Sequence, residues 1–225
     1  MRSELPVRLK MIADLASGYA KEGSRLIDVG ADHGLLSVYC LKNGFFENAV
    51  LTDVNEGPAA RARSAIGDNC LTGRAEVIVT DGLDNVEIQS GDVVVMAGLG
   101  GLNMRDIMGR LQDRPQDILK SVTFVLQPQK SLPELREWLS LNGYLIVDEE
   151  CCFEAGFYYC AICVQYKGEV HPLSDREIYY GPVMLDRFDQ RQEYKEFLDR
   201  VFDLRSRSDG RIKRVLEDWN EQGNS

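Results

Sequence analysis

Residues 25–34 read RLIDVGADHG, and this stretch decides the fold. Arg25 to Val29 form a short strand candidate rich in branched apolar residues, closed at once by Gly30. A second glycine, Gly34, opens an apolar stretch with helical character that runs to about residue 43. Strand, glycine turn and helix together make the first half of a βαβ unit. Glycines there let the backbone turn tightly and come close to a ligand, and the helix that follows offers free N–H groups.

Working outward, further strand candidates lie at 49–54, 75–80, 92–97 and 121–127, with helix candidates near 34–43, 56–70, 101–113 and 131–142. Strand alternating with helix implies parallel pairing through right-handed crossovers. The pattern then changes. YLIVDEECCF (144–153) and FYYCAICVQY (157–166) are separated only by Glu154, Ala155 and Gly156, a link that permits a hairpin and forbids a crossover. A parallel sheet ending in an antiparallel hairpin is the arrangement associated with S-adenosylmethionine (SAM)-dependent methyltransferases, and unlike the usual nicotinamide-binding sheet. After Gly181-Pro182, apolar residues from Leu185 to Phe202 recur at three- and four-residue spacing, and Ile212, Val215, Leu216 and Trp219 repeat the spacing. The expected architecture is therefore α/β. A Rossmann-like SAM-binding catalytic sheet ending in an antiparallel hairpin occupies residues 1–173, and a C-terminal helical hairpin, a coiled-coil arm, occupies 174–225. The arm reads as a packing element or a dimer contact, so a monomer or weak homodimer is expected.

Composition narrows the class. With 26 Lys+Arg against 36 Asp+Glu the net charge is −10, which argues against a broadly basic nucleic-acid-coating surface but leaves room for a local basic patch. MRSELPVRLK is too polar for a secretory segment, and no apolar run reaches the ~18 residues of a membrane span, so a cytoplasmic protein with no membrane association is expected. Cys160 and Cys163 form a C-x-x-C inside a strand candidate, where positions three apart face opposite ways, so no metal site is expected there. His33 and His171 are too few to make one alone.

Three acidic positions mark a cofactor crevice. Asp53 ends the second strand about 20 residues past the glycine turn, where a carboxylate accepts hydrogen bonds from ribose hydroxyls. Asp81-Gly82 closes the third strand, where methyltransferases place a reader of the adenine amino group. Asp32 stands where a dinucleotide fingerprint often has glycine and would face a pyrophosphate with a carboxylate. That disfavours NAD and suits SAM, which carries sulfonium and ammonium charges. Asp28 either holds the ammonium or caps the loop. The cofactor-binding set is thus Asp28, Gly30, Asp32, His33, Gly34, Asp53, Asp81, Gly82, Ala97 and Gly98. Ala97-Gly98-Leu99-Gly100-Gly101 follows the fourth strand, where a flat substrate can lie against the backbone, and Asn103 and Arg105 open the next helix. Gln127-Pro128-Gln129 ends the fifth strand on the same side, and the Asn/Asp-Pro-Pro-aromatic motif of amino-directed enzymes is absent.

Together these residues resemble the bacterial tRNA (adenine-22-N1)-methyltransferase family. The resemblance rests on Leu5-x-x-Arg8-Leu9, Asp28 to Gly34, Asn55-Glu-Gly-Pro58, Asp81-Gly-Leu83, Ala97 to Gly101 and Leu126-Gln-Pro128, and spans most of residues 5–166. It implies SAM as cofactor, tRNA as partner and N1 of an adenine as acceptor. That nitrogen has an in-plane lone pair, so no strong base is needed, and Asp32 and Asn103 are the catalytic candidates. The substrate-binding set is Arg8, Gly100, Gly101, Arg105 and Gln127, with Arg205, Arg207, Arg211 and Arg214 near the bend of the helical hairpin gripping RNA. Arg187, Arg191 and Lys195 form a stripe that reads more readily as an ion-paired face. Two alternatives stay open: a SAM enzyme acting on a small molecule or protein, and a noncatalytic RNA-binding protein.

Overall fold

A computed structural model describes residues 5–222, with the side chains from Trp219 onward outside the described set. The strands are β1 (Arg25–Val29), β2 (Asn48–Asp53), β3 (Ala75–Val79), β4 (Val93–Ala97), β5 (Thr123–Gln127), β6 (Tyr144–Glu154) and β7 (Phe157–Tyr166). Among the described residues they form one sheet in the order β3-β2-β1-β4-β5-β7-β6. The first five are parallel, while β7 runs antiparallel between β5 and β6. The strand order reverses between β1 and β4, which puts the crevice at the carboxyl ends of β1, β2 and β4.

The helices are α1 (Val7–Ser17), α2 (Leu35–Lys42), α3 (Glu56–Asp68), α4 (Gly101–Gly109), α5 (Gln116–Ser121), α6 (Leu132–Leu141), α7 (Asp175–Tyr180), α8 (Gln192–Ser206) and α9 (Gly210–Gln222). Alternation along the strands sorts them between two faces. Leu26, Val93 and Val95 pack with Ile12 and Ala16 of α1, Leu36 and Leu41 of α2, and Ile66 of α3. Ile27, Val94 and Met96 pack on the other face with Met104 of α4 and Leu135 of α6. Cys160 belongs to that second face and Cys163 to the first, as the alternation predicts, and all the described cysteines are free.

The C-terminal stripe does not stand off as a solvated arm. Tyr180, Met184, Phe188, Tyr194, Leu198, Phe202, Ile212 and Val215 bury themselves in the same cluster as the second face of the sheet. A fully buried ion pair fastens the joint. Arg136 of α6 donates from Nε to Glu149 of β6 at 2.9 Å and approaches it again through Nη2 at 2.8 Å. The other Glu149 oxygen accepts from the Val183 and Met184 amides, each at 2.9 Å, and Arg136 Nη1 donates to the Ile178 carbonyl at 3.1 Å. Gly181 makes this possible, because a Cβ at its φ of 100° would collide with the Glu149 carboxylate.

Candidate active site

A cleft of about 540 Å³ opens at the carboxyl ends of the parallel strands. That size falls in the range of small-molecule and cofactor sites. Val29 and Gly30 form its floor, Asp53 and Asp81 end neighbouring strands within it, and Leu99 and Ile107 supply apolar walls. A larger hollow of about 690 Å³ lies between α1 and the edge strand β6, but it includes none of these strand ends, so the smaller cleft has the geometry of a cofactor site.

The backbone at the cleft is tied together before any ligand arrives. The Gly30 and Ala31 amides donate to the Thr52 carbonyl at 2.8 and 3.0 Å, and Thr52 Oγ1 donates to the Gly82 carbonyl at 3.0 Å. These bonds fix the loops after β1, β2 and β3 as one rim. Asp53 accepts from the Asn55 amide at 3.0 Å through one carboxylate oxygen, and among the described residues no hydrogen bond to the second is seen. Asp81 meets Arg110, the residue that follows α4, at 3.2 Å, and Arg110 also donates to Asp84 at 2.8 Å. Asp32, in the left-handed region at φ 47°, pairs with Arg61 of α3 at 2.7 Å and lies 3.4 Å from His33. Asp32, Asp53, Asp81 and Asp106 line the cleft; Arg61, Arg105 and Arg110 pair with Asp32, Asp106 and Asp81, and the lining keeps a net negative charge. Such a balance favours a ligand bearing positive charge and disfavours a pyrophosphate.

Of the sequence-derived cofactor set, Gly30, Asp32, Asp53, Asp81 and Gly82 line this cleft, and so does the catalytic candidate Asn103. The others do not, for physical reasons. Asp28 shares its strand face with Leu26, away from the cleft, and its buried carboxylate accepts from Ser37 Oγ of α2 at 2.7 Å. The loop-capping reading of Asp28 is therefore the one the geometry favours. His33 points to solvent beside Asp32. Gly34 is a packing glycine, since a Cβ there would sit 3.1 Å from Leu51 and 3.5 Å from Ala62. Ala97 packs under the sheet's first face. Gly101 is buried against the loop before α6, where a Cβ would overlap the Ser131 carbonyl, so it serves helix packing and offers no surface to a substrate. Arg105 is folded onto its neighbour Asp106, with Nη2 at 2.9 Å.

Burial raises the Asp28 carboxyl to about 6, against a smaller lowering by its Ser37 bonds. Between the ordinary carboxylate range and that value the folded chain keeps a proton that the unfolded chain releases. Stability therefore rises as pH falls through that window, and above it the ionised group weighs against folding. Asp28→Asn keeps an acceptor for Ser37 without the charge. It is expected to raise the melting temperature at pH 7.5, and the gap from the parent should close by pH 4. Thermal melts at the two pH values check this, and a gap independent of pH contradicts it.

A second group assembles beside the cleft. Arg8 of α1 donates from Nη1 to Gln127 Oε1 at 2.7 Å, and its guanidinium lies over the Tyr159 ring at 5.5 Å. Gly98 lies beneath: a Cβ there would sit 3.7 Å from Arg8 Nη1 and 3.5 Å from Gln129 Nε2. Gln127 is fully buried and turns its amide to the Pro128 carbonyl at 3.0 Å, so it positions Arg8 and does not itself face solvent. Gly100 is the residue before α4, within reach of the Lys130 side chain.

The distal cations divide. Arg205, Arg207 and Arg214 are exposed. Arg211 is not available to a substrate in the same way: it reaches Asp175 at 2.7 Å and Glu137 at 2.9 Å and lies over Tyr179, pinning α9 to α6 and α7. The stripe is ion-paired as expected, with Arg187 on Asp148 at 2.7 Å, Arg191 on Glu150 at 2.7 Å and Lys195 on Asp199 at 2.6 Å. The sequence reading missed Asp106, Ile107 and Arg110. Together with Asn103 they recur at three- and four-residue spacing along α4 and the residue that caps it, a helical face whose first member alone had been singled out.

The sequence model of the methyltransferase domain family matches residues 5–162. The chain belongs to that family. The matched span runs from just before α1 into β7 and so takes in the cleft and the Arg8 group. Within the methyltransferase family, the tRNA (adenine(22)-N(1))-methyltransferase of Bacillus subtilis is 27% identical over 156 residues, 69% of this chain and 63% of that protein. The match thus spans less than two thirds of that relative's length. A Streptococcus agalactiae protein of the NADB-Rossmann superfamily superposes with a TM-score of 0.76 at 28% identity, covering 98% of each chain. A Streptococcus pneumoniae candidate tRNA (m1A22) methyltransferase, solved in complex with S-adenosyl-L-methionine, gives a TM-score of 0.74 at 26% identity over 93% of this chain and 97% of that one.

Proposed function

We propose that this chain transfers the methyl group of SAM to N1 of adenine 22 in tRNA. The observation that carries the reading is the juxtaposition at one sheet edge of an acid-lined cleft with a guanidinium held over Gly98 by Gln127 and Tyr159. The Bacillus subtilis and Streptococcus pneumoniae relatives support both the cofactor and the acceptor.

Bound SAM supplies an electrophilic methyl group on a sulfonium. The chain's own residues do the rest by binding and orientation. Asp53 accepts from the ribose hydroxyls with its second oxygen, and Asp81, steadied by Arg110, accepts from the adenine amino group of the cofactor. Leu99 and Ile107 exclude water from the cleft. Asn103 stands on the exposed side of α4 at the cleft's edge, placed to orient the acceptor ring. Asp32 contributes to the negative field of the cleft, with its charge shared by Arg61. The acceptor nitrogen uses its own lone pair, so placement within reach of the methyl group supplies much of the rate. The exposed Arg205, Arg207 and Arg214 grip phosphates, which divides the labour between a catalytic part, 1–173, and an RNA-gripping part, 174–225. Among the described residues no helix is long and apolar enough to cross a membrane. A tRNA substrate of the kind the Bacillus subtilis relative acts on supports a cytoplasmic location.

The test is methyl transfer from labelled SAM to unmodified bacterial tRNA, followed by nucleoside mapping. Label appearing as N1-methyladenosine at position 22 is expected. Binding of SAM with no transfer to tRNA would send the search to a small-molecule or protein acceptor.

A further inference from the structure

Two of the most exposed large apolar side chains in the described chain are phenylalanines at the tip of one hairpin. Phe153 is 58% and Phe157 65% exposed. They flank the turn at Ala155 and Gly156, both at positive φ, which closes β6 onto β7 with Glu154 directly opposite Phe157. Two such residues make the tightest and most twisted kind of hairpin end, so the rings are carried on a stiff support. The support is reinforced from behind. Phe153 packs on Tyr158 at 5.0 Å between ring centres, and Tyr158 packs on Phe197 at 4.9 Å and Tyr194 at 5.3 Å.

The tip is continuous with the site. Phe157 and Tyr159 are two apart on β7 and so share a face. Tyr159 carries the Arg8 guanidinium, Arg8 is bonded to Gln127, and Gly98 lies against Arg8. The Val7 amide donates to Glu154 at 2.6 Å, fastening the start of α1 to the same hairpin end. Contacts thus lead from Gly98 through Arg8 to Tyr159, on the strand face that Phe157 shares two residues nearer the tip.

We propose that the hairpin tip, with Phe157 at its front, is a stacking wedge for an RNA base next to the target adenine; this rests on the tRNA reading above. The acceptor nitrogen lies on the edge that a paired adenine uses for pairing, so the base must leave the helical stack before transfer. A base drawn out leaves an unstacked neighbour, and an apolar ring holds such an opening where water would let it close. Bases out of the stack are held in turn on aromatic rings and guanidinium planes, which the Tyr159 and Arg8 pair supplies next to Gly98.

The experiment compares Phe157→Ala and Phe157→Tyr with the parent on two tRNAs. One is native, and in the other the nucleotide facing the target is changed so that the target is already unpaired. Phe157→Ala is expected to lose about tenfold or more in kcat/KM on native tRNA, the scale of one base–aromatic stack, and to recover most of it on the opened tRNA. Phe157→Tyr should retain activity on both. A fluorescent purine analogue at the target should brighten on binding the parent and not on binding Phe157→Ala, while melting temperatures stay alike. Equal loss on both tRNAs, or no loss on either, overturns the wedge. So does a shift from dimer to monomer in sedimentation of Phe157→Ala, which would make the tip a contact between copies. Failure of the parent itself to methylate tRNA would instead sink the functional reading.

Discussion

Glu149→Ala is expected to lower the melting temperature by roughly 10 °C, the largest stability loss foreseen for any single side chain in this protein. The reason is what it strands. Arg136 is 1% exposed and has no route to water, so without the carboxylate its charge stays buried and uncompensated, which costs about 3–5 kcal/mol. The Val183 and Met184 amides lose their acceptor at the same time. Those amides begin the segment that leads into α8, so proteolysis should accelerate near 182–192 before the sheet itself opens. Arg136→Met combined with Glu149→Leu removes both charges and is expected to recover part of the loss, with the two orphaned amides limiting the gain. By contrast, breaking the exposed pair of Lys213 and Glu217 at 3.7 Å should leave the melt nearly unmoved. Differential scanning calorimetry on the four proteins decides this, and a Glu149→Ala melt within a degree or two of the parent would show that the joint does not carry stability.

The same pair shows where sequence reading stops. The five parallel strands were legible because each is a short run of branched residues closed by a turn, and the β6–β7 link is too short for anything but a hairpin. The carboxyl ends of β1, β2 and β3 then had to converge, which brought Gly30, Asp53 and Asp81 together. Alternation also placed Cys160 and Cys163 on opposite faces. Applied to β1 it would have turned Asp28 away from the cleft with Leu26. The capping box of Ser174 and Glu177 that starts α7 has the spacing of a helix start, but no apolar periodicity follows it and it was passed over. α1 gave a weaker signal, because half of what it buries is alanine: Ala13 and Ala16 beside Ile12 and Leu15. Partners far apart in the chain gave none. Arg136 finds Glu149 across a helix and a strand, and Arg211 finds Glu137 at a separation of 74 residues, so its apparent membership of an RNA-facing cluster dissolves only in three dimensions. The hairpin tip is a related case, since a phenylalanine in a strand reads as core until its exposure is known.

Asp53→Ala is expected to raise the KM for SAM by about 10- to 100-fold while leaving the fold intact, the effect of losing one charged acceptor of about 1.5–3 kcal/mol. The carboxylate accepts from the Asn55 amide, at the surface of the cleft, so its removal strands no buried charge. Asp53→Asn should fall between, because one amide oxygen still accepts while the amide nitrogen now faces a hydroxyl that must turn to meet it. Asp81→Ala should cost less. Its carboxylate is already partly engaged by Arg110, which keeps Asp84 at 2.8 Å when Asp81 is removed. How the loss divides between the kinetic constants carries the argument further. The cofactor's ribose does not change on methyl transfer, so Asp53 holds ground state and transition state alike, and kcat at saturating SAM should be nearly preserved. Steady-state kinetics with SAM varied at saturating tRNA, beside calorimetric SAM binding, separate the two. A fall in kcat with KM unchanged would mean that Asp53 acts on the reacting atoms, and the cofactor would then have to lie end for end in the cleft.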